Sequence, residues 1–211
     1  MKKEIDPQYK ANREKMTRTD FWDQIRELKI ILALWGIDQY YSTDMEADDV
    51  AFQLVKENRG KKILLVSSDH DWYQLMTKTI MIYQDSKIHT LADIEDALGH
   101  TVQELSLFKS IAGETGDNIK GIKMIRKELV WASVRGCENL ADLIDKCHRD
   151  GDRGANAKIL DNIELVKNNY RLVKMSPCEL EEIEPSKNWV KFKQKLESYE
   201  MNKLLERFSH A

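Results

Sequence analysis

The sequence predicts an α/β fold, a mainly parallel, twisted sheet followed by a mostly helical region, on three observations. A short continuous apolar run, Lys62-Ile63-Leu64-Leu65-Val66-Ser67, has the length and composition of a buried parallel strand. A second run, Ile80-Met81-Ile82-Tyr83, follows a short helix expected around 72–76, and this β-helix-β rhythm favours a right-handed crossover. From Thr90 onward apolar residues recur as successive amphipathic segments, punctuated by Gly99, Gly113, Gly121, Gly136 and Gly151.

Taken in order, Thr17 or Thr19 can cap a helix that carries Phe21, Ile25, Leu28, Leu32 and Trp35 at spacings of three and four, with Gly36 as its stop. A second helix is expected over 46–58, with Val50, Leu54 and Val55 inward and Arg59-Gly60 ending it. After the two strands, helices are expected over 91–98, 102–112, 122–134, 140–147 and 155–168. Residues 171–175 read as a late strand or an extended strap, Pro177 and Pro185 bracket an acidic linker, and 188–208 reads as one or two terminal helices.

At 211 residues the chain suits one substantial domain, or one domain with a small appendage. No apolar run approaches the roughly 20 residues that span a bilayer, and MKKEIDPQYK lacks the apolar core of a secretory signal. Cys137, Cys147 and Cys178 fit neither a disulfide framework nor a zinc site, since Cys147-His148 has no second pair to complete a tetrahedron. The expectation is a reduced, cytoplasmic protein without a membrane partner. A net charge of −3 conceals segregation: Lys2, Lys3, Lys10, Arg13, Lys15 and Arg18 lie at the start. Asp38, Asp44, Glu46, Asp48 and Asp49 follow without a base between them, and many bases return from Lys120 onward. An acidic centre with basic flanks suits a phosphodiester held by cations; solvated helix faces give the same pattern.

Three acidic clusters carry the chemistry: Glu46-Ala47-Asp48-Asp49, Ser68-Asp69-His70-Asp71 and Glu114-Thr115-Gly116-Asp117-Asn118. The first opens a helix, where the macrodipole alone justifies acids. The second leaves the carboxyl end of a strand, where ligands bind in open α/β sheets, and the third lies on a glycine-flanked loop. Gathered carboxylates repel unless neutralised, and oxygen-rich sets of this kind suit Mg²⁺ or Mn²⁺. Two such ions clamp the attacking and leaving oxygens of an in-line displacement, so no Ser or Cys nucleophile is needed. His70, expected to point away from its neighbours on an extended segment, reads as a positioning or surface residue, and Trp72 and Tyr73 as core.

These residues resemble the flap endonuclease or 5′-nuclease family, which includes the 5′-nuclease part of bacterial polymerase I and phage 5′-exonucleases and ribonuclease H enzymes. The landmarks are Tyr9-Lys10-Ala11-Asn12-Arg13, Glu46-Ala47-Asp48-Asp49, Ser68-Asp69-His70-Asp71-Trp72 with Gln74-Leu75, and Gly116-Asp117-Asn118-Ile119-Lys120-Gly121. They stand in family order over roughly residues 7–175. The resemblance implies a PIN-like core in which Glu46, Asp48, Asp49, Asp69, Asp71 and Asp117 match metal-site carboxylates, with Glu114 where the family usually has Asp. It also implies that Lys10 and Arg13 meet the scissile phosphate and the 5′ strand. The domains expected are a partial metal-binding core over 1–118, a helical DNA-binding region over 119–175, and a linker with terminal helices over 176–211.

Two departures accompany the resemblance. The family's Gly-Ile-Gly turn, which supports a potassium ion and a DNA phosphate, is Gly121-Ile122-Lys123-Met124-Ile125-Arg126-Lys127 here. Cβ atoms on Met124 and Arg126 disfavour the tight turn and that ion, while Lys120, Lys123, Arg126 and Lys127 remain as DNA-binding cations. The family also has a first strand with two metal-binding aspartates ahead of the Lys10 segment. The expectation is a Mg²⁺- or Mn²⁺-dependent 5′-nuclease for 5′ flaps, nicks or RNA–DNA hybrids, incomplete as a single chain. The alternatives are a branched-DNA-binding module without catalysis, or one half of a split nuclease whose missing strand comes from another chain. A clamp or single-strand-binding protein is a further expected partner for the terminal helices, and the source is expected to be bacterial or phage. A PIN-type ribonuclease is disfavoured by the basic helical half after residue 119.

Overall fold

The structure is a computed structural model that describes residues 2–13, 19–151 and 153–209; Lys15, Thr17 and Arg18 lie outside them. Its residues divide into two units, 1–14 with 51–177 and 15–50 with 178–211. Along the chain come α1 (Lys2–Ile5), α2 (Thr19–Trp35), β1 (Gln39–Tyr41), α3 (Ala47–Glu57), β2 (Ile63–Val66), β3 (Ile80–Gln84) and β4 (Lys87–His89). Then follow α4 (Leu91–Leu98), α5 (Val102–Ala112), β5 (Gly113–Glu114), β6 (Ile119–Lys120), α6 (Lys127–Val134) and α7 (Leu140–Arg149). The chain ends with α8 (Gly154–Asp161), α9 (Ile163–Val173), β7 (Glu181–Ile183), α10 (Trp189–Ser198) and α11 (Asn202–Ser209).

In the first unit β2 pairs with β3 in parallel, Ile63 opposite Ile80 through Val66 opposite Tyr83. β4 then joins antiparallel across a tight turn in which Asp85 and Ser86 both take positive φ, 51° and 63°. The sheet is therefore mixed rather than mainly parallel, and an Asp-Ser pair lacks the glycine that advertises such a hairpin. One face, Leu65, Ile80 and Ile82, is buried with Tyr73, Leu75, Met76, Ile94, Val102 and Met175. Leu64 and Val66 on the other face stay exposed, so β2 is not the doubly buried strand its apolar run suggests.

The helical part packs Leu107 and Ile111 of α5 against Val130, Val134, Leu143, Cys147, Ile159 and Val166. Burial pushes the Cys147 thiol up to about 11, which keeps it protonated and unreactive. α4 and α5 start where the sequence places them because Thr90 with Asp93, and Thr101 with Glu104, each close a capping box. The helix expected over 155–168 is instead two, broken at Asn162, and residues 171–173 finish α9 rather than forming a strap. α6 begins only at Lys127, since Met124 spends the preceding residues on a turn at φ 62°.

In the second unit β1 pairs antiparallel with β7, Gln39 opposite Ile183 and Tyr41 opposite Glu181, so the expected linker contains a strand. α10 packs on α2 through Ile31, Leu34, Phe192 and Leu196. The inward stripe of α2 thus runs through Ile31 and Leu34, leaving Leu28 and Trp35 exposed. Among the described residues no helix is long and apolar enough to cross a membrane.

One backbone approach fixes the loop that follows α5. Gly113, at φ 76°, lies against Gly121, and the antiparallel β5–β6 pair closes between them. A Cβ on Gly121 would fall 2.0 Å from the Ala112 carbonyl oxygen, whereas one on Gly116 would meet nothing within 4 Å. Gly121→Ala is therefore expected to destabilise the protein by about 2–3 kcal/mol and Gly116→Ala by almost nothing; paired thermal melts check the contrast.

Candidate metal and nucleic-acid site

The carboxyl end of β2 is folded by its own polar side chains. Ser67 Oγ accepts from the Asp69 N–H at 3.1 Å, and Asp69 Oδ1 accepts from the Asp71 N–H at 2.9 Å, capping a 3₁₀ turn over His70–Leu75. This turn sends Asp71 towards Lys109 in the last turn of α5, whose ammonium donates to Asp71 and, at 2.9 Å, to Glu114 of β5. Burial pulls the Lys109 pKa down, but the hydrogen bonds and charge of the two carboxylates outweigh it, so the net shift is upward. Asp69, Asp71, Glu114 and Lys109 line one cleft of about 620 Å³ with Ser68, His70, Tyr73, Leu98 and Leu105.

His70 departs from expectation because its segment is 3₁₀ rather than extended: its ring stacks on Tyr73 at 5.0 Å and lines this cleft. Tyr73 is core, as expected, with its hydroxyl on Gln84 Oε1 at 3.0 Å. Lys109 was not singled out by the sequence. A lysine in the last turn of a helix reads as a dipole partner, and its five-residue spacing from Glu114 suggests no pairing.

Asp117 anchors a second charged group. Arg13 and Lys10, the latter at 3.7 Å, pair with its carboxylate, and the buried Tyr9 donates its hydroxyl to it at 3.2 Å. The Lys10 N–H also donates to the Asp117 carbonyl at 2.8 Å, Asn12 to the Thr115 carbonyl at 3.0 Å, and Asn118 to the Gln8 carbonyl at 2.7 Å. Residues 8–13 are thus strapped along the Glu114–Asp117 loop. The structure brings Asp69, Asp71 and Glu114 into one cleft, and Lys10, Arg13 and Asp117 into one cluster.

Glu46, Asp48 and Asp49 stand at the start of α3, in the other unit. Asp49 is fully buried and its carboxylate accepts from the Glu46 N–H at 3.3 Å, closing the first turn. Lys120, Lys123, Arg126 and Lys127 are all exposed on and after β6. Met124 takes the left-handed conformation that was expected to require glycine, and the Lys158 ammonium donates to its carbonyl at 2.9 Å. A cation of the chain itself thus serves the turn.

Asp69, Asp71 and Glu114 offer only oxygen donors, which hard divalent cations prefer. Among the described residues no three acidic, His or Cys side chains converge on one metal position; the Lys109 ammonium draws two of these carboxylates onto itself.

A family model described as "5′-3′ exonuclease, N-terminal resolvase-like domain" matches residues 1–100. DNA polymerase I of Deinococcus radiodurans is 28% identical over an alignment covering 78% of this chain and 18% of that protein. The 5′-3′ exonuclease of Mycoplasmopsis pulmonis is 27% identical, covering 97% of this chain and 72% of the relative. That of Buchnera aphidicola subsp. Acyrthosiphon pisum is 31% identical, covering 81% and 52%. The chain therefore spans about a fifth of the polymerase relatives it matches. Among solved structures, the bacteriophage T5 5′-exonuclease with zinc bound aligns with TM-score 0.64 and 26% identity, over 82% of this chain and 69% of that one.

The shared ammonium predicts a pH-dependent cost of losing it. Because the Lys109 pKa is raised, its contribution is complete below the ordinary lysine range and is lost only as pH rises through the raised value. In Lys109→Met the Asp71 and Glu114 carboxylates are left facing each other without the cation they share. The expected destabilisation is about 2 kcal/mol at neutral pH, shrinking only as pH rises above the ordinary lysine range, as denaturant melts from neutral to alkaline pH would report.

Proposed function

This chain belongs to the 5′-nuclease family, and on that premise we propose that it is a structure-selective 5′-nuclease that hydrolyses phosphodiester bonds with a divalent cation. The observation that carries the reading is the cleft at the carboxyl end of β2, where Asp69, Asp71 and Glu114 meet Lys109. Ligand sites in open α/β sheets lie at this position. The zinc-bound bacteriophage T5 5′-exonuclease supports divalent-ion dependence, and the oxygen donors here suit Mg²⁺ or Mn²⁺.

Asp69, Asp71 and Glu114 would hold the ion, with Glu46, Asp48, Asp49 and Asp117 as the further carboxylates the family pattern assigns. Bound there, a divalent ion supplies neutralisation of charge and polarisation of the phosphodiester. Lys109 holds Asp71 and Glu114 together at the cleft through its two ion pairs. Lys10 and Arg13, gathered at Asp117, offer charge-assisted hydrogen bonds to the phosphate at the 5′ end of the cut. Lys120, Lys123, Arg126 and Lys127 grip the duplex backbone without reading its sequence. The substrates this arrangement suits are 5′ flaps, nicks and RNA–DNA hybrids.

A second reading, a module that binds branched DNA without cutting it, draws on Lys109 occupying two of the carboxylates. Cleavage of a 5′-labelled flap with Mg²⁺ or Mn²⁺ decides between them, binding without cleavage favouring the module.

Asp69→Asn keeps an oxygen to accept from the Asp71 N–H, so the turn should persist. Cleavage should fall at least about a hundredfold while flap affinity stays within about twofold; cleavage at the parental rate would sink the ligand assignment.

Arg126→Ala combined with Lys127→Ala should weaken flap binding and flatten the dependence of log K on log salt by about 1–2. A salt titration of flap binding reads this directly, and an unchanged slope would remove both residues from the interface.

A further inference from the structure

The turn between β6 and α6 has an exposed tip on pinned feet. Ile122 and Ile125 pack against the helical core at its two sides, and the Ile122 N–H reaches the Ile111 carbonyl at 2.8 Å. Between them stands Met124, 90% exposed and at φ 62°, a left-handed conformation that costs any residue with a Cβ. The Arg126 side chain gives α6 no cap. Neither a glycine nor a capping side chain therefore secures this tip, and the Lys158 ammonium does so instead, donating to the Met124 carbonyl at 2.9 Å. Lys158 reaches the turn from a fixed base. Its neighbour on α8, Ile159, is fully buried with Val130 and Val134 of α6, and Asn156 Oδ1 accepts from the Ser133 hydroxyl at 2.8 Å. Lys120, Lys123, Arg126 and Lys127 lie exposed on either side of Met124 in the chain.

The potassium ion that the family pattern brings to this turn does not fit here. It would share the Met124 oxygen with an ammonium already at hydrogen-bond distance, and like charges so close repel. An ammonium is itself a compact unit charge with three donors. Tethered to α8, it needs no capture from solution. We infer that Lys158 is a positioning residue for the nucleic-acid interface: its ammonium takes the place of a bound potassium ion at the Met124 carbonyl and fixes the turn that carries the four exposed cations. Duplex binding is then indifferent to which monovalent salt is present. The duplex as ligand rests on the nuclease reading, whereas the hold on the turn does not.

The test measures binding of a labelled 5′ flap to the full chain, without divalent ion, in equal concentrations of potassium chloride and tetramethylammonium chloride. Tetramethylammonium has no N–H and is too bulky to sit on a carbonyl. Parental affinities should agree within about twofold, since both salts screen equally. Lys158→Met should bind about tenfold more weakly in tetramethylammonium and regain part of that loss in potassium, a selective recovery that mere loosening of the fold would not give. Its melting temperature should fall by no more than about 4 °C. Lys158→Arg, which keeps a donor cation, should restore indifference to the salt. Hydrogen exchange at the Ile122 and Leu129 amides, both hydrogen-bonded beside the turn, should quicken about fivefold in Lys158→Met without DNA. A parental chain that binds several-fold more tightly in potassium overturns the proposal, as does a Lys158→Met variant with parental affinity in both salts. A parental chain that binds no flap in either salt counts against the nuclease reading instead; exchange at Ile122 and Leu129 then decides the hold on the turn, and unchanged exchange in Lys158→Met overturns it.

Discussion

An ammonium shared by two carboxylates is the interaction on which the cleft depends. Lys109 stands on α5, Asp71 follows β2 and Glu114 ends β5, so a single charge holds three elements in register. Burying an ammonium costs solvation, and that cost is the largest influence on its pKa, yet the two partners reverse the net shift. Removing the charge would leave two carboxylates facing each other across a half-buried space, where screening by water is weak. The cleft is therefore shaped by the need to neutralise its own acids.

That pairing works because the backbone first brings α5 and the loop after it to the right place. Gly113 and Gly121 approach so closely that only hydrogen fits between them. The Ile122 N–H then reaches the Ile111 carbonyl at 2.8 Å, and the buried Asn169 donates to the carbonyls of Ser110 at 2.9 Å and Lys120 at 2.8 Å. With both ends of the loop pinned, Glu114 faces Lys109 while Asp117, three residues on, receives Lys10 and Arg13. Steric permissiveness at two glycines thus becomes a separation of one acidic loop into two differently neutralised carboxylates.

Much of this was legible in the sequence where the signal is local. Thr90 with Asp93 and Thr101 with Glu104 announce the starts of α4 and α5, and the apolar runs announce β2 and β3. What escaped depends on residues distant in sequence. β7 looks like an acidic linker because its pairing partner, β1, lies some 140 residues away and both strands are largely exposed. β4 escaped because Asp85 and Ser86 adopt a conformation that their side chains do not advertise. The acidic clusters pointed to the cleft, but not to the lysine inside it, since only the folded backbone shows that Asp71 and Glu114 approach one ammonium.

The basic residues divide by depth, and the division has functional consequences. Lys109 and Lys10 are largely screened from water and are committed to carboxylates; Lys158 is committed to the Met124 carbonyl. Lys120, Lys123, Arg126 and Lys127 lie in water, where a cation gains little from a surface carboxylate and much more from a polyanion whose counterions it releases. Met124, 90% exposed among them, keeps an apolar group at the tip of that turn despite its left-handed backbone. A net charge of −3 hides this arrangement, in which cleft carboxylates share a half-buried ammonium while four cations lie exposed on and after β6. The same physics explains why the turn survives without the glycines expected there: an internal ammonium stabilises its carbonyl, offsetting backbone strain that glycine would have avoided.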